Sequence, residues 1–123
     1  MYDKSLVPDL LTQIDEAINR IQRRAAGITS PEDFLKDDAG IDRLDAIAMM
    51  LIAIGENIKR LDKITDGALL VRYPGIHWPG IKGVRDILAH EYFDIDAEEI
   101  FNICKNDLIP LKQVMQKLRE NMQ

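Results

Sequence analysis

The segment Gly83-Val84-Arg85-Asp86-Ile87-Leu88-Ala89-His90-Glu91-Tyr92 concentrates the most usable chemistry in the chain. On a helix, Asp86 and His90 are four residues apart and share a face. The carboxylate can then accept a proton from one imidazole nitrogen, fix the tautomer and leave the other nitrogen free. Arg85 and Tyr92 fall on a neighbouring face, so a guanidinium, an oriented imidazole and a phenol would line one ridge. Such a ridge suits RNA cleavage through the ribose 2′-hydroxyl. That reaction needs a base for the hydroxyl, an acid for the leaving oxygen and a cation for the phosphorane charge. His90 titrates in the useful range, and Arg85 offers a forked donor to phosphate. One chain supplies one well-placed imidazole, whereas two chains across a two-fold axis supply two. The chemistry therefore predicts a homodimer with facing Arg85/His90 ridges. The bare spacing is equally that of a helix-stabilising Asp86–His90 pair, worth about 0.2–0.5 kcal/mol.

Several residues near this segment carry a functional and a plain reading side by side. Glu56 could salt-bridge Arg85 from a facing helix, or pair with Arg60 on its own helix. Lys82, one turn before Arg85, could bind a flanking phosphate or stay solvated. His77 could contact RNA or sit at the rim of a cleft. Trp78 could stack on a base, but anchoring the loop on the core is the stronger expectation. Met49, Met50 and Met115 read as core or interface filler, and Cys104 as a small buried residue.

Other chemistries are not supported. His77, His90 and Cys104 are widely spaced, without a CxxC or HExxH pattern, so no metal site and no cofactor is expected. No P-loop or Rossmann glycine run is present. The net charge of −5 argues against nucleic-acid binding over the whole surface. Between Arg72 and His90, however, the fixed charges are Arg72, Lys82 and Arg85 against Asp86 alone. This stretch also holds both histidines and the single Trp. The lone cysteine suits a reducing compartment. Met1-Tyr2-Asp3-Lys4 lacks the basic segment and apolar run of a signal peptide, so a cytoplasmic protein without a membrane span is expected.

These residues need elements to hold them. Val7, Leu10, Leu11, Ile14, Ile18 and Ile21 recur at helical spacing and predict a helix from about Ser5 to Ala26, ended by Gly27. Ser30-Pro31-Glu32-Asp33 predicts a capped short helix through about Lys36. Ile41, Leu44, Ile47, Ala48, Leu51, Ile54, Ile58 and Leu61 predict a second long helix over about 39–63. Gly55 inside it suggests a close helix crossing. Tyr73 to Gly80 reads as a Pro/Gly loop, with Pro79 opening a helix that buries Ile81, Val84, Ile87 and Leu88. Asp96 should cap a final helix whose apolar face is Ile100, Ile103, Ile109, Val114 and Leu118, kinked by Pro110. No alternating strand pattern is evident. The expectation is all-α, one domain over residues 1–123, in an up-down bundle.

Arg85-(x)4-His90-x-Tyr92 matches the RX4HXY motif of the HepT-like toxins in the HEPN superfamily. Ile54-Gly55-Glu56 is similar to that family's Gly-Glu signature, and WPGIKGVRDILAHEYFDID, Trp78 to Asp96, resembles its most characteristic stretch. The resemblance covers nearly the whole chain. It implies a HEPN-type fold and a metal-independent endoribonuclease toxin that works as a homodimer, with Arg85 and His90 catalytic and Asp86 supporting. It also implies an MntA-type minimal nucleotidyltransferase antitoxin as partner, which in part of the family transfers AMP to the motif tyrosine, here Tyr92. A non-catalytic HEPN subunit that binds a nucleotidyltransferase or a nucleotide is the alternative.

Overall fold

A computed structural model describes residues 4–84, 88 and 95–121. Among them every regular element is helical. After a 3-10 turn at Lys4–Leu6, helix α1 spans Val7–Ala25, with Val7, Leu10, Leu11, Ile14, Ala17, Ile18, Ile21 and Ala25 buried. The three-and-four spacing puts all eight on one stripe. Gly27 then takes a φ of 84°, a left-handed conformation that stops the helix.

The short helix expected through Lys36 is a single 3-10 turn, Pro31–Phe34. The Ser30 side chain makes no cap bond there. Instead the Asp33 carboxylate accepts hydrogen bonds from the Thr29 backbone N–H at 2.8 Å and its hydroxyl at 3.0 Å. These bonds satisfy donors before the turn, and the chain then passes to the Asp37 cap of the next helix. Phe34 is fully buried. Gly40 explains why the turn fits closely on the next helix: a Cβ there would lie 2.5 Å from the Asp33 carbonyl oxygen.

Helix α2 spans Asp38–Ile64, capped by the Asp37 carboxylate, which accepts from the Gly40 N–H at 2.8 Å. Its buried stripe runs from Gly40 and Leu44 to Leu61 and Ile64. Ile41, expected on that stripe, lies on the solvent side. At the other end Asp66 and Gly67 both have positive φ and reverse the chain. A 3-10 turn at Leu70–Arg72 leads to the short helix α3, Trp78–Lys82. Helix α4, Ala97–Asn102, is capped by Asp96 as expected, with the carboxylate accepting from the N–H groups of Glu98 and Glu99.

A π turn, Ile103–Asp107, joins α4 to the last helix α5, Leu108–Asn121. Pro110 lacks an N–H, and its ring crowds the carbonyl four residues back. The ladder slips just there: the Leu108 N–H donates to the Ile103 carbonyl, five residues earlier. One extra residue rotates the following helix by about 100°. Leu108, Leu111, Met115 and Leu118 are therefore buried, and Ile109, expected on the apolar face, is exposed.

Cross-helix bonds fix the directions. Gln13 meets Asn57 at 2.9 Å and the Arg43 guanidinium donates to the Ala26 carbonyl, so α1 and α2 are antiparallel. Arg119 meets Asp15 at 2.9 Å and Lys112 reaches Asn19, so α5 is also antiparallel to α1. Helix α1 thus runs against both α2 and α5, and the described residues form the all-α bundle expected from the sequence. One hydrophobic cluster takes residues from all five helices, Val7 to Leu118. Each fully buried Leu or Ile in it contributes about 1.5–3 kcal/mol relative to exposure.

Candidate active site

The candidate site is built on the last turn before the motif. Trp78 begins α3 and is buried, and its indole N–H donates to the Tyr73 carbonyl at 3.0 Å. Trp78 thus anchors the Pro/Gly loop on the core, the stronger of its two sequence readings. Lys82 and α2 hold the other end of α3: the Lys82 ammonium lies 3.0 Å from the Asp62 carboxylate.

Between these two contacts α3 crosses α2 at Gly55. A Cβ on Gly55 would lie 2.8 Å from the Ile81 carbonyl oxygen and 3.1 Å from a Val84 methyl. No side chain larger than hydrogen fits without moving backbone, so the close crossing expected from the sequence is present. It accounts for a glycine in mid-helix that costs about 1 kcal/mol against alanine. Val84 and Leu88 are both buried against the core cluster. The residue immediately before Arg85 is thereby fixed on α2. Arg85, Asp86, His90 and Tyr92 themselves lie outside the described residues.

Of the other expected site residues, Glu56 is half-buried, next to Gly55 on α2, and pairs with Lys59 at 3.5 Å. Lys82 is engaged with Asp62 as described. His77 is exposed at the cap position of α3, and its ring lies against Gly80, where a Cβ would fall 2.5 Å from the imidazole. Glu56 also lines an open groove between α1 and α2, together with Gln13, Glu16, Arg20, Met50 and Asn57. Glu16 and Arg20 pair at 2.8 Å within it.

Two titratable groups depart from ordinary behaviour. Hydrogen bonds from Thr29 hold the Asp33 carboxyl below the usual range. Burial pushes the Cys104 thiol up to about 11, so it is a protonated thiol at neutral pH and no nucleophile. Met115 is fully buried, Met50 half-buried and Met49 exposed, so only part of the expected methionine filler is core. No group of three or more His, Cys, Asp or Glu side chains among the described residues could hold a metal ion. No helix of the described residues is long and apolar enough to cross a membrane.

Sequence reasoning passed over Asp62 and the Gln13–Asn57 pair. Both partners are distant along the chain, twenty residues for Asp62 and Lys82 and forty-four for Gln13 and Asn57. Only the packing of α2 on its neighbours brings them together.

The described residues are all-helical and α3 crosses α2 at Gly55, and comparison with known proteins supplies the class, a helical ribonuclease. The family described as Ribonuclease HepT-like matches residues 14–118. The chain belongs to this family. It is 33% identical to the "Probable ribonuclease HepT" of Thermococcus cleftensis, over 91% of this chain and 94% of that protein. It is 25% identical to each of two proteins of Methanocaldococcus jannaschii provisionally named as RNases, over 98% of this chain and 93% and 89% of theirs. No solved structure matches the chain at a significant level.

Proposed function

We propose that this chain is a metal-independent endoribonuclease toxin that works as a homodimer in the cytoplasm. The observation that carries the reading is the family match over residues 14–118, which spans both the Gly55-Glu56 crossing and the complete Arg85/His90/Tyr92 motif. His90 of one protomer takes the proton of the ribose 2′-hydroxyl. The freed oxygen attacks the adjacent phosphorus, and the 5′-oxygen leaves with a proton from the second His90. Arg85 neutralises the phosphorane oxygens, Asp86 fixes the His90 tautomer, and Glu56 tunes Arg85 from α2. His77 and Lys82 contact the flanking RNA at the rim, the Lys82 ammonium being shared between Asp62 and phosphate. The product ends are a 2′,3′-cyclic phosphate and a 5′-hydroxyl.

Neutralisation falls to an MntA-type nucleotidyltransferase antitoxin. The Tyr92 hydroxyl attacks the α-phosphorus of ATP, pyrophosphate leaves, and the AMP phosphate then occupies the anion site beside Arg85 and repels RNA. Purified protein should cut RNA in EDTA, and His90→Ala should abolish both cleavage and growth arrest. Intact-mass analysis of protein co-expressed with the antitoxin should show one AMP on wild type and none on Tyr92→Phe. Tight partner binding with no RNA cleavage under any condition would favour the non-catalytic subunit instead.

A further inference from the structure

We propose that Asp62 is a positioning residue for the ribonuclease site, acting through Lys82. The inference rests on the ribonuclease reading above and adds a residue that the motif does not contain. Asp62 lies in the last two turns of α2, and its side chain is 29% exposed. One carboxylate oxygen accepts from the Lys82 ammonium at 3.0 Å, while the other faces Gly67, where a Cβ would lie 3.9 Å away. Its backbone carbonyl accepts from the Gly67 N–H at 2.9 Å, so the residue belongs to the turn that ends α2. The carboxylate therefore stands on a fixed platform and not on a free helix end.

Lys82 is the last residue of α3, three before Arg85. Along this segment α3 touches α2 at two places of different character. At Gly55 the contact is steric and fixes how close the helices come. Trp78, buried and bonded to the Tyr73 carbonyl, holds the start of this five-residue helix α3. The Asp62–Lys82 pair supplies the second point. Two contacts on α2, seven residues apart, set both the distance and the angle of α3, whose last residue is three before Arg85 in the chain. An ion pair that is a third exposed adds little to global stability. Its leverage is geometric, because displacement of about 1 Å at a reacting group can cost on the order of 10²-fold in rate.

Asp62→Asn, Lys82→Gln and the charge-swapped double variant Asp62→Lys with Lys82→Asp separate this role from a direct RNA contact. The readouts are kcat and KM on a single-stranded RNA oligonucleotide, the melting temperature, and amide hydrogen exchange at Ile81, Lys82 and Gly83. Asp62→Asn should lower kcat by about tenfold or more, with KM unchanged or lower because the Lys82 ammonium is then left to phosphate, keep the melting temperature within a few degrees and speed exchange at those amides. The swap should recover the protection and most of the kcat at saturating RNA, with KM raised because a carboxylate then stands where Lys82 meets phosphate. If Asp62→Asn leaves kcat unchanged, whatever its KM, Lys82 acts on RNA alone and the positioning role is wrong. Exchange at Ile81 to Gly83 that is identical in Asp62→Asn and wild type removes the clasp itself. A wild-type chain that cuts no RNA while exchange still responds to Asp62→Asn overturns the ribonuclease reading, and the catalytic half of this inference with it.

Discussion

Helix α2 makes two kinds of contact, and they divide the molecule. Against α1 it packs apolar side chains, with Ile14, Ile18 and Ile21 of α1 and Ile47, Ile54 and Ile58 of α2 all buried in one cluster. Against α3 it packs backbone on backbone through Gly55, with one ion pair beyond. The first contact is non-directional and distributed, so its energy grows with buried area and no single atom decides its geometry. The second buries little but is specific in distance and angle. The α1–α2 seam therefore holds the fold, and the α2–α3 junction fixes the chain up to Val84, the residue before the motif.

That division can be broken by experiment. Ile18→Ala should remove about 2–5 kcal/mol of stability through lost burial and a residual cavity, yet leave kcat per folded molecule unchanged. Chemical denaturation and an active-site-normalised RNA assay check the two halves. Gly55→Ala should do the reverse. Its Cβ meets the Ile81 carbonyl, so α3 must move; overpacking costs about 1–3 kcal/mol and the gain in helix propensity returns about 1. Net stability should change modestly while cleavage falls by on the order of 10²-fold, and equal losses in stability and activity would erase the contrast. Trp78→Phe keeps the buried ring but deletes the N–H donated to Tyr73, and should cost about 0.5–1.5 kcal/mol in thermal unfolding.

The smallest effect lies far from the junction. Asp33 has its carboxyl pKa lowered below the ordinary 3.8, first by the Thr29 backbone N–H and then by the Thr29 hydroxyl. A depressed carboxyl stabilises the fold above its unfolded pKa and loses that contribution as pH falls through its folded value. The melting-temperature difference between wild type and Asp33→Asn should be small and constant near neutral pH, and should shrink only in acid below 3.8. A difference that changes between pH 6 and 8 would show that another group is responsible.

The α1 and α2 stripes, the Asp96 cap, the Gly27 stop and the Gly55 crossing were legible in sequence because each is a local signal: periodicity, a capping residue, or a glycine where a helix has no other use for one. What stayed hidden depended on phase or on distance. The π turn before Pro110 adds one residue, which moves Ile109 to solvent and Leu108 and Leu111 into the core. A helical count that assumes an unbroken ladder cannot see that rotation. The turn at Pro31–Phe34 carries every mark of a helix start, but it is a single 3-10 turn and the cap that opens a long helix is Asp37, three residues beyond it. In the site, motif spacing singled out Arg85, His90 and Tyr92, whereas Asp62 carries no pattern until α2 and α3 meet.

The most direct test of the central claim is cleavage of a defined RNA by wild type and His90→Ala in EDTA, with the new ends identified. The account predicts rapid cleavage by wild type that leaves 2′,3′-cyclic phosphate, and a loss of about 10²–10⁴-fold or more in His90→Ala. Undiminished cleavage by His90→Ala, or activity that disappears in EDTA and returns with a divalent ion, would contradict it.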